Sequence, residues 1–131
     1  MKNKYKSSRG FAMAEVIIAI AVIGIISLAA VSLFTSSINS TQRAMDRAEA
    51  QNVLESVVEC YRVSESGENF DNSFNSALAF TLDLDSADYK ENITKDDTTV
   101  SISLEGTQLK VSVTVGEQTV SADYDKGGAL Q

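Results

Sequence analysis

Residues Ser7 to Phe34 have the sequence SSRGFAMAEVIIAIAVIGIISLAAVSLF, which contains the long apolar segment of the chain. From Phe11 to Phe34 the run is apolar except for one charged residue, Glu15. At a helical rise of about 1.5 Å per residue this run reaches roughly 36 Å, which is enough to cross a bilayer. The apolar core of a secretory signal peptide is normally only about 7–15 residues long. The sequence therefore predicts a transmembrane helix over residues 11–34.

Charge is distributed unevenly around this run. The residues before Phe11 carry four basic side chains and no acidic one, namely Lys2, Lys4, Lys6 and Arg9. The whole chain has 131 residues and a net charge of −7, so the part beyond the leader is strongly acidic. Basic flanks stay on the cytoplasmic side, which predicts a cytoplasmic N-terminus and an extracytoplasmic C-terminal domain. An acidic domain repels phosphate backbones, and we expect no direct binding of nucleic acid.

The basic leader, Gly10, Phe11, Glu15 and the unbroken apolar helix together resemble the class III signal of type IV pilins and type II secretion pseudopilins. The resemblance implies a leader over residues 1–10 and cleavage between Gly10 and Phe11 by a prepilin peptidase. It also implies N-methylation of Phe11 and a role for Glu15 in filament assembly. The partners that it implies are other pilin or pseudopilin subunits, an assembly platform and an assembly ATPase.

Two departures from the family pattern favour a minor pilin or pseudopilin over a major pilin. Ser32 stands where many major pilins have a helix-breaking proline, and the single cysteine, Cys60, cannot form the pair that staples many of them. Adhesion, motility, secretion and DNA uptake all use this N-terminal design, so the filament system stays open. The alternative hypothesis is an uncleaved, bitopic membrane-anchored binding domain, which gives no reason for Gly10 or Glu15.

Beyond the apolar run, residues 35–62 change to a one-sided pattern. Apolar residues recur at helical spacing, and they include Ile38, Met45, Ala50, Val53, Leu54, Val57, Val58 and Tyr61. This spacing predicts an amphipathic continuation of the same helix. No proline or glycine interrupts the chain between Ile25 and Ser66, so one helix of about 50 residues is expected.

Residues 63–97 are predicted to connect this helix to a sheet. Small and polar residues break the helix, and Asp71 is a candidate cap for a short turn. Phe80, Leu82 and Leu84 alternate with polar residues, which predicts a strand. The acidic stretch Asp83–Asp88 is interpreted as a solvated turn; a bound cation is the open alternative, although the spacing lacks the glycine and terminal glutamate of an EF-hand.

Residues 98–131 show the period of two that is typical of strands. Three apolar series define three strands: Val100, Ile102 and Leu104; Leu109, Val111, Val113 and Val115; Val120, Ala122 and Tyr124. Two-residue turns at Gly106-Thr107 and Gly116-Glu117 keep all of these side chains on one face, and a leading glycine favours type II′. The expected fold class is α+β, with a long N-terminal helix packed on a small antiparallel sheet of three to four strands.

The sequence shows no arrangement of residues that is typical of an enzyme active site. The chain has no histidine, and its serines and carboxylates show no catalytic spacing. We interpret Cys60, which lies among apolar helical positions, as a small packed residue; an intermolecular or reactive thiol is the open alternative. The sequence therefore predicts no enzyme, no cofactor and no metal site.

Overall fold

The computed structural model describes the backbone of residues 6–125 and the side chains of residues 11–125. Two helices are followed by four strands, in the order α1 (Lys6–Ser64), α2 (Phe70–Thr81), β1 (Ile93–Lys95), β2 (Thr98–Glu105), β3 (Gln108–Val115) and β4 (Gln118–Asp125). The α+β class predicted from the sequence is confirmed. The chain divides into two units, Met1–Thr41 and Gln42–Gln131, and α1 contributes to both.

The described part of the first unit is a single continuous helix. The apolar residues from Phe11 to Phe34 are almost all exposed, so this helix has no apolar partner within the described part of its own unit. Two of its hydroxyl groups donate to backbone carbonyls of the same helix. Ser27 Oγ donates to the carbonyl of Ile23 at 2.8 Å, and Thr35 Oγ1 donates to the carbonyl of Val31 at 3.0 Å. Such bonds let a hydroxyl sit in an apolar environment without losing a hydrogen bond. Among the described residues, this is the one helix long and apolar enough to cross a membrane.

In the second unit the last part of α1 covers one face of the sheet. Ala50, Leu54, Val57, Val58 and Tyr61 are buried in one cluster with the inward-facing residues of the strands. The predicted helical cover is thus confirmed from Ala50 onward. Two residues of the predicted stripe behave differently, because Ile38 is 63% exposed and Met45 is 67% exposed. The helical spacing of apolar residues predicts which face of α1 they occupy. It does not predict how far along α1 the contact with the sheet extends.

The four strands form an antiparallel sheet in the order β1-β2-β3-β4. The predicted register is confirmed in both hairpins, with Leu104 opposite Leu109 and Val113 opposite Val120. The φ angles of Gly106 and Gly116 are +66° and +56°, and no positive φ occurs at the residue after either glycine. This is the φ pattern of the predicted type II′ turns.

The predicted strand over Phe80–Leu84 is wrong. Phe80 lies in the last turn of α2 and is 89% exposed. The helix ends at Thr81, and just beyond it the amide of Leu84 donates to the carbonyl of Ala79 at 2.8 Å and Asp83 has a φ of +53°. The alternation of apolar and polar residues here reflects a helix end followed by a loop, which a window of five residues cannot distinguish from a strand.

The fourth strand of the sheet is β1, which we did not predict. Ile93 pairs with Val100 and Lys95 with Thr98, around a turn made by Asp96 and Asp97. A possible sequence signal was an apolar pair placed symmetrically about two aspartates, since aspartate tolerates the positive φ of +50° found at Asp96. Asp71 also differs from its predicted role: Asn69 occupies the N-cap of α2, and Asp71 lies in its first turn.

Candidate processing and assembly segment

The predicted processing site lies in the first part of α1. Gly10 and Phe11 both belong to its helical backbone, and Phe11 is 80% exposed. Lys2 and Lys4 lie outside the described residues, as do the side chains of Lys6 and Arg9. The glycine and the phenylalanine are thus adjacent and helical, but their roles in cleavage and methylation stay predictions.

Glu15 follows Phe11 by one helical turn. Residues four apart share a face of a helix, so Glu15 lies on the same side of α1 as Phe11. Glu15 is exposed, and it has no ion pair with any residue whose side chain the structure describes. A carboxylate in this position is therefore available to a positive charge that comes from elsewhere.

Gly24 lies in the middle of the apolar run. A Cβ atom added to it would meet nothing within 4 Å. Packing inside the described chain therefore does not require a glycine at this position. Its small size matters only if another helix approaches this part of α1 closely, as small residues allow in membrane helices.

The acidic stretch Asp83–Asp88 lies in the loop between α2 and β1. Among the side chains of residues 11–125, no three acidic, cysteine or histidine residues are grouped as metal ligands. Asp83 instead accepts a hydrogen bond from Lys95 Nζ at 3.1 Å, and Asp88 accepts one from the amide of Lys90. Both carboxylates thus accept hydrogen bonds from lysines that follow the stretch in the chain.

Lys95 binds the backbone carbonyls that follow the C-terminal end of α2. Its Nζ donates to the carbonyls of Leu82 and Asp83, both at 2.9 Å, in addition to the Asp83 carboxylate. Carbonyls that follow a helix end lack helical partners, and a cation there is favoured by the helix dipole. One side chain from β1 thus fixes α2 to the edge of the sheet.

A second polar contact fixes the start of α2. Tyr89 Oη donates to Asp71 at 2.8 Å and Lys90 Nζ donates to the other carboxylate oxygen at 2.9 Å. The hydrogen bonds from Lys90 and Tyr89 hold the pKa of Asp71 below its ordinary value. Burial and the bond to Asp71 raise the pKa of Tyr89, and the same carboxylate raises the pKa of Lys90. These groups are structural, since they join α2 to the loop before β1.

Cys60, Tyr61 and Phe74 belong to the core. Cys60 is 8% exposed and its Sγ lies 3.2 Å from Thr81 Oγ1. Tyr61 makes edge-to-face contacts with Phe74 and Tyr124, at ring centroid separations of 5.9 Å in both cases. Such contacts between α1, α2 and β4 are typical of a packed core.

Comparison with known proteins gives one match. Residues 5–31 match the family model described as the prokaryotic N-terminal methylation motif. The chain carries this class III signal, which is typical of type IV pilins and pseudopilins. The match includes Gly10, Phe11 and Glu15, and so agrees with the resemblance found in the sequence. No curated protein matches the chain, and no solved structure matches it.

Proposed function

We propose that this protein is a structural subunit of a type IV filament, and more specifically a minor pilin or a pseudopilin. A prepilin peptidase cuts between Gly10 and Phe11, and Phe11 becomes the methylated N-terminus. The observation that carries the proposal is the methylation motif over residues 5–31, followed by one exposed apolar helix. The function is mechanical, and no enzyme chemistry is proposed.

Glu15 gives the proposal a physical mechanism. A carboxylate at the centre of a membrane helix costs about 2.5–3.5 kcal/mol on insertion scales, so it requires a shallow position or a compensating partner. Before cleavage the nitrogen of Phe11 is an uncharged amide. Cleavage turns it into an amine that stays cationic when methylated. This amine can pair with Glu15 of a neighbouring subunit in a low-dielectric helix bundle, so that processing creates the charge that assembly uses.

The subunit would wait in the membrane with its N-terminus in the cytoplasm and its second unit outside. An assembly platform and an ATPase would then move it into a filament at the cell surface or across the periplasm. The departures at Ser32 and the single cysteine favour a minor subunit. Adhesion, motility, secretion and competence remain alternative settings for the same mechanism.

The first test replaces Gly10. In Gly10→Val the side chain crowds a peptidase that reads extended backbone, so we expect the leader to stay attached, detected as a larger mass in membranes. Ser8→Val is the matched control and should be processed. A Phe11 N-terminus on Gly10→Val would contradict the proposed cleavage site.

The second test replaces Glu15. Glu15→Ala should insert and be processed normally, yet be absent from sheared filaments when it is made together with the other subunits. Met13→Ala, a change at a neighbouring exposed position of the same helix, should enter filaments. If Glu15→Ala reached filaments at wild-type abundance, Glu15 would have no role in assembly.

A further inference from the structure

A groove of about 540 Å³ opens on the second unit at one end of the sheet. One wall is α1, and the others are the end of α2 and the turns before β2 and β4. The two turns are held together by a hydrogen bond from the amide of Gly116 to the carbonyl of Asp97, at 3.1 Å. On the opposite wall, Asp46 reaches within 3.1 Å of the position that a Cβ on Gly116 would take.

The groove carries an unbalanced negative charge. Asp46 and Glu49 line it from α1, and Asp96 and Asp97 line it from the turn. None of these four carboxylates forms an ion pair with a residue whose side chain the structure describes. The groove also contains Lys95, but its Nζ is committed to Leu82 and Asp83.

Two arginines of α1 are positively charged side chains without a carboxylate partner among the described residues. Arg43 and Arg47 are exposed and have no ion pair or hydrogen bond with any residue whose side chain is described. The remaining cations of the second unit that have described side chains each bind a carboxylate: Arg62, Lys90, Lys95 and Lys110. Unpaired cations and unpaired carboxylates thus occur together in one unit.

The arginines lie on a different face of α1 from the residues that line the groove. At about 100° per residue, Arg43 and Arg47 point roughly 110° away from the face of α1 that lines the groove. The two surfaces are therefore separate patches that face different directions. A contact between patches of this kind is heterologous, and it leads to an open, filament-like array when the rotation between copies does not close.

We propose that the exposed Arg43 and Arg47 of one copy of this chain dock into the acidic groove of a second copy. The proposal rests on the proposed filament function and names a contact between subunits outside the N-terminal helix bundle. Arginine suits the site because its planar fork binds carboxylates in pairs. A metal ion is a poorer occupant, since no three acidic side chains among the described residues converge as ligands.

Disulfide crosslinking in membranes tests the contact with the full-length chain. Two tagged copies are made together, one Arg47→Cys and the other Asp97→Cys, and the sample is oxidised. We expect a crosslinked pair of the two tags. The parent chain, whose only thiol is the buried Cys60, and the pair Arg62→Cys with Asp97→Cys serve as controls and should stay uncrosslinked. A crosslink between two Arg47→Cys copies alone would overturn the proposal, because it indicates that like patches meet.

Charge reversal gives an independent readout. The double change Arg43→Glu and Arg47→Glu should lower the yield of filaments by at least about tenfold, since like charges then face each other. Adding Glu49→Arg and Asp97→Arg to the same chain should restore the yield, and Arg62→Glu alone should leave it unchanged. If the double change assembles at wild-type yield, the docking proposal is wrong.

The N-terminus, measured in the same samples, separates this proposal from the proposed function. A chain that begins at Phe11 and enters filaments but gives no crosslink rejects the groove and keeps the filament function. A chain that retains its leader and still crosslinks rejects the processed filament subunit, while contact between copies stands.

Discussion

Single residues in the second unit contribute very unequally to stability, and two phenylalanines of the same helix show the contrast. Phe74 is fully buried in the core cluster, where its ring contacts Tyr61 and Tyr89, whereas Phe80 is 89% exposed. In a fragment that begins at Thr35, Phe74→Ala should lower the free energy of unfolding by about 3–5 kcal/mol, because it removes buried apolar area and leaves a cavity. Phe80→Ala should change it by less than about 0.5 kcal/mol. Urea denaturation measures both, and equal effects would contradict the described orientation of α2.

Ser64, at the end of α1, is buried, and its hydroxyl has no hydrogen-bond partner among the residues that the structure describes. An unsatisfied buried hydroxyl costs free energy, so its removal releases that cost. Ser64→Ala should leave stability unchanged or raise it by up to about 1 kcal/mol in the same urea measurement. Ser56→Ala, at an exposed-face hydroxyl that already bonds to the carbonyl of Asn52, is the comparison. A large loss of stability in Ser64→Ala would show that this hydroxyl has a partner.

The lowered pKa of Asp71 should make the stability of the folded protein depend on pH. Its pKa is lower in the folded protein than its ordinary value of 3.8, because Lys90 and Tyr89 donate hydrogen bonds to the charged form. A carboxylate whose pKa is lowered by folding stabilises the protein at pH values above its pKa in the unfolded chain. This contribution is lost as the pH falls through its pKa in the folded protein. Asp71→Asn should therefore reduce stability near neutral pH and flatten its decline below about pH 4. Urea midpoints measured across the acid range test this, and an unchanged pH profile would contradict the bonding described.

At the scale of elements, the hairpins could be predicted because their signals are local. The period of two in β2, β3 and β4 and the two glycine-led turns fix the register residue by residue, as the pairing of Leu109 with Tyr124 shows. The strand β1 and the end of α2 could not be predicted in the same way. Both are short and depend on a long-range contact, the bonds of Lys95 to Leu82 and Asp83, which no local window contains.

A substitution of Lys95 therefore tests whether this side chain holds the C-terminal end of α2. Lys95→Met keeps the length of the side chain but removes the donor to the carbonyls of Leu82 and Asp83. We expect α2 to fray at its C-terminal end, with faster amide hydrogen exchange at Leu82 and Leu84 and little change in β3. Lys110→Met, which removes an exposed pair with Glu105 on the other side of the sheet, is the control and should leave α2 unaffected. Equal exchange in both variants would mean that the cap does not hold α2.

At the scale of the whole molecule, the N-terminal motif could be recognised from the sequence alone, whereas the groove of the second unit could not. Gly10, Phe11, Glu15 and the apolar run are contiguous, so their meaning could be inferred from one stretch, and the motif match over residues 5–31 agrees with it. The groove escaped prediction because its walls come from α1, α2 and two distant turns, which only the folded chain brings together.

The second unit should fold without the apolar run. A fragment that begins at Thr35 lacks the exposed apolar residues before it and retains the buried cluster and all four strands. We expect this fragment to be soluble and to show both helix and sheet by circular dichroism. Persistent aggregation, or a spectrum without a strand contribution, would contradict the assignment of the core to residues beyond Thr41.

The central claim is that the chain is processed into a filament subunit. It is tested most directly by mass spectrometry of the N-terminal peptide of the full-length protein, taken from the membranes of cells that produce it. We expect a peptide that begins at Phe11 and carries a methyl group on its amine. A peptide that begins at Met1, or at any residue other than Phe11, would contradict the claim and favour an uncleaved membrane-anchored domain.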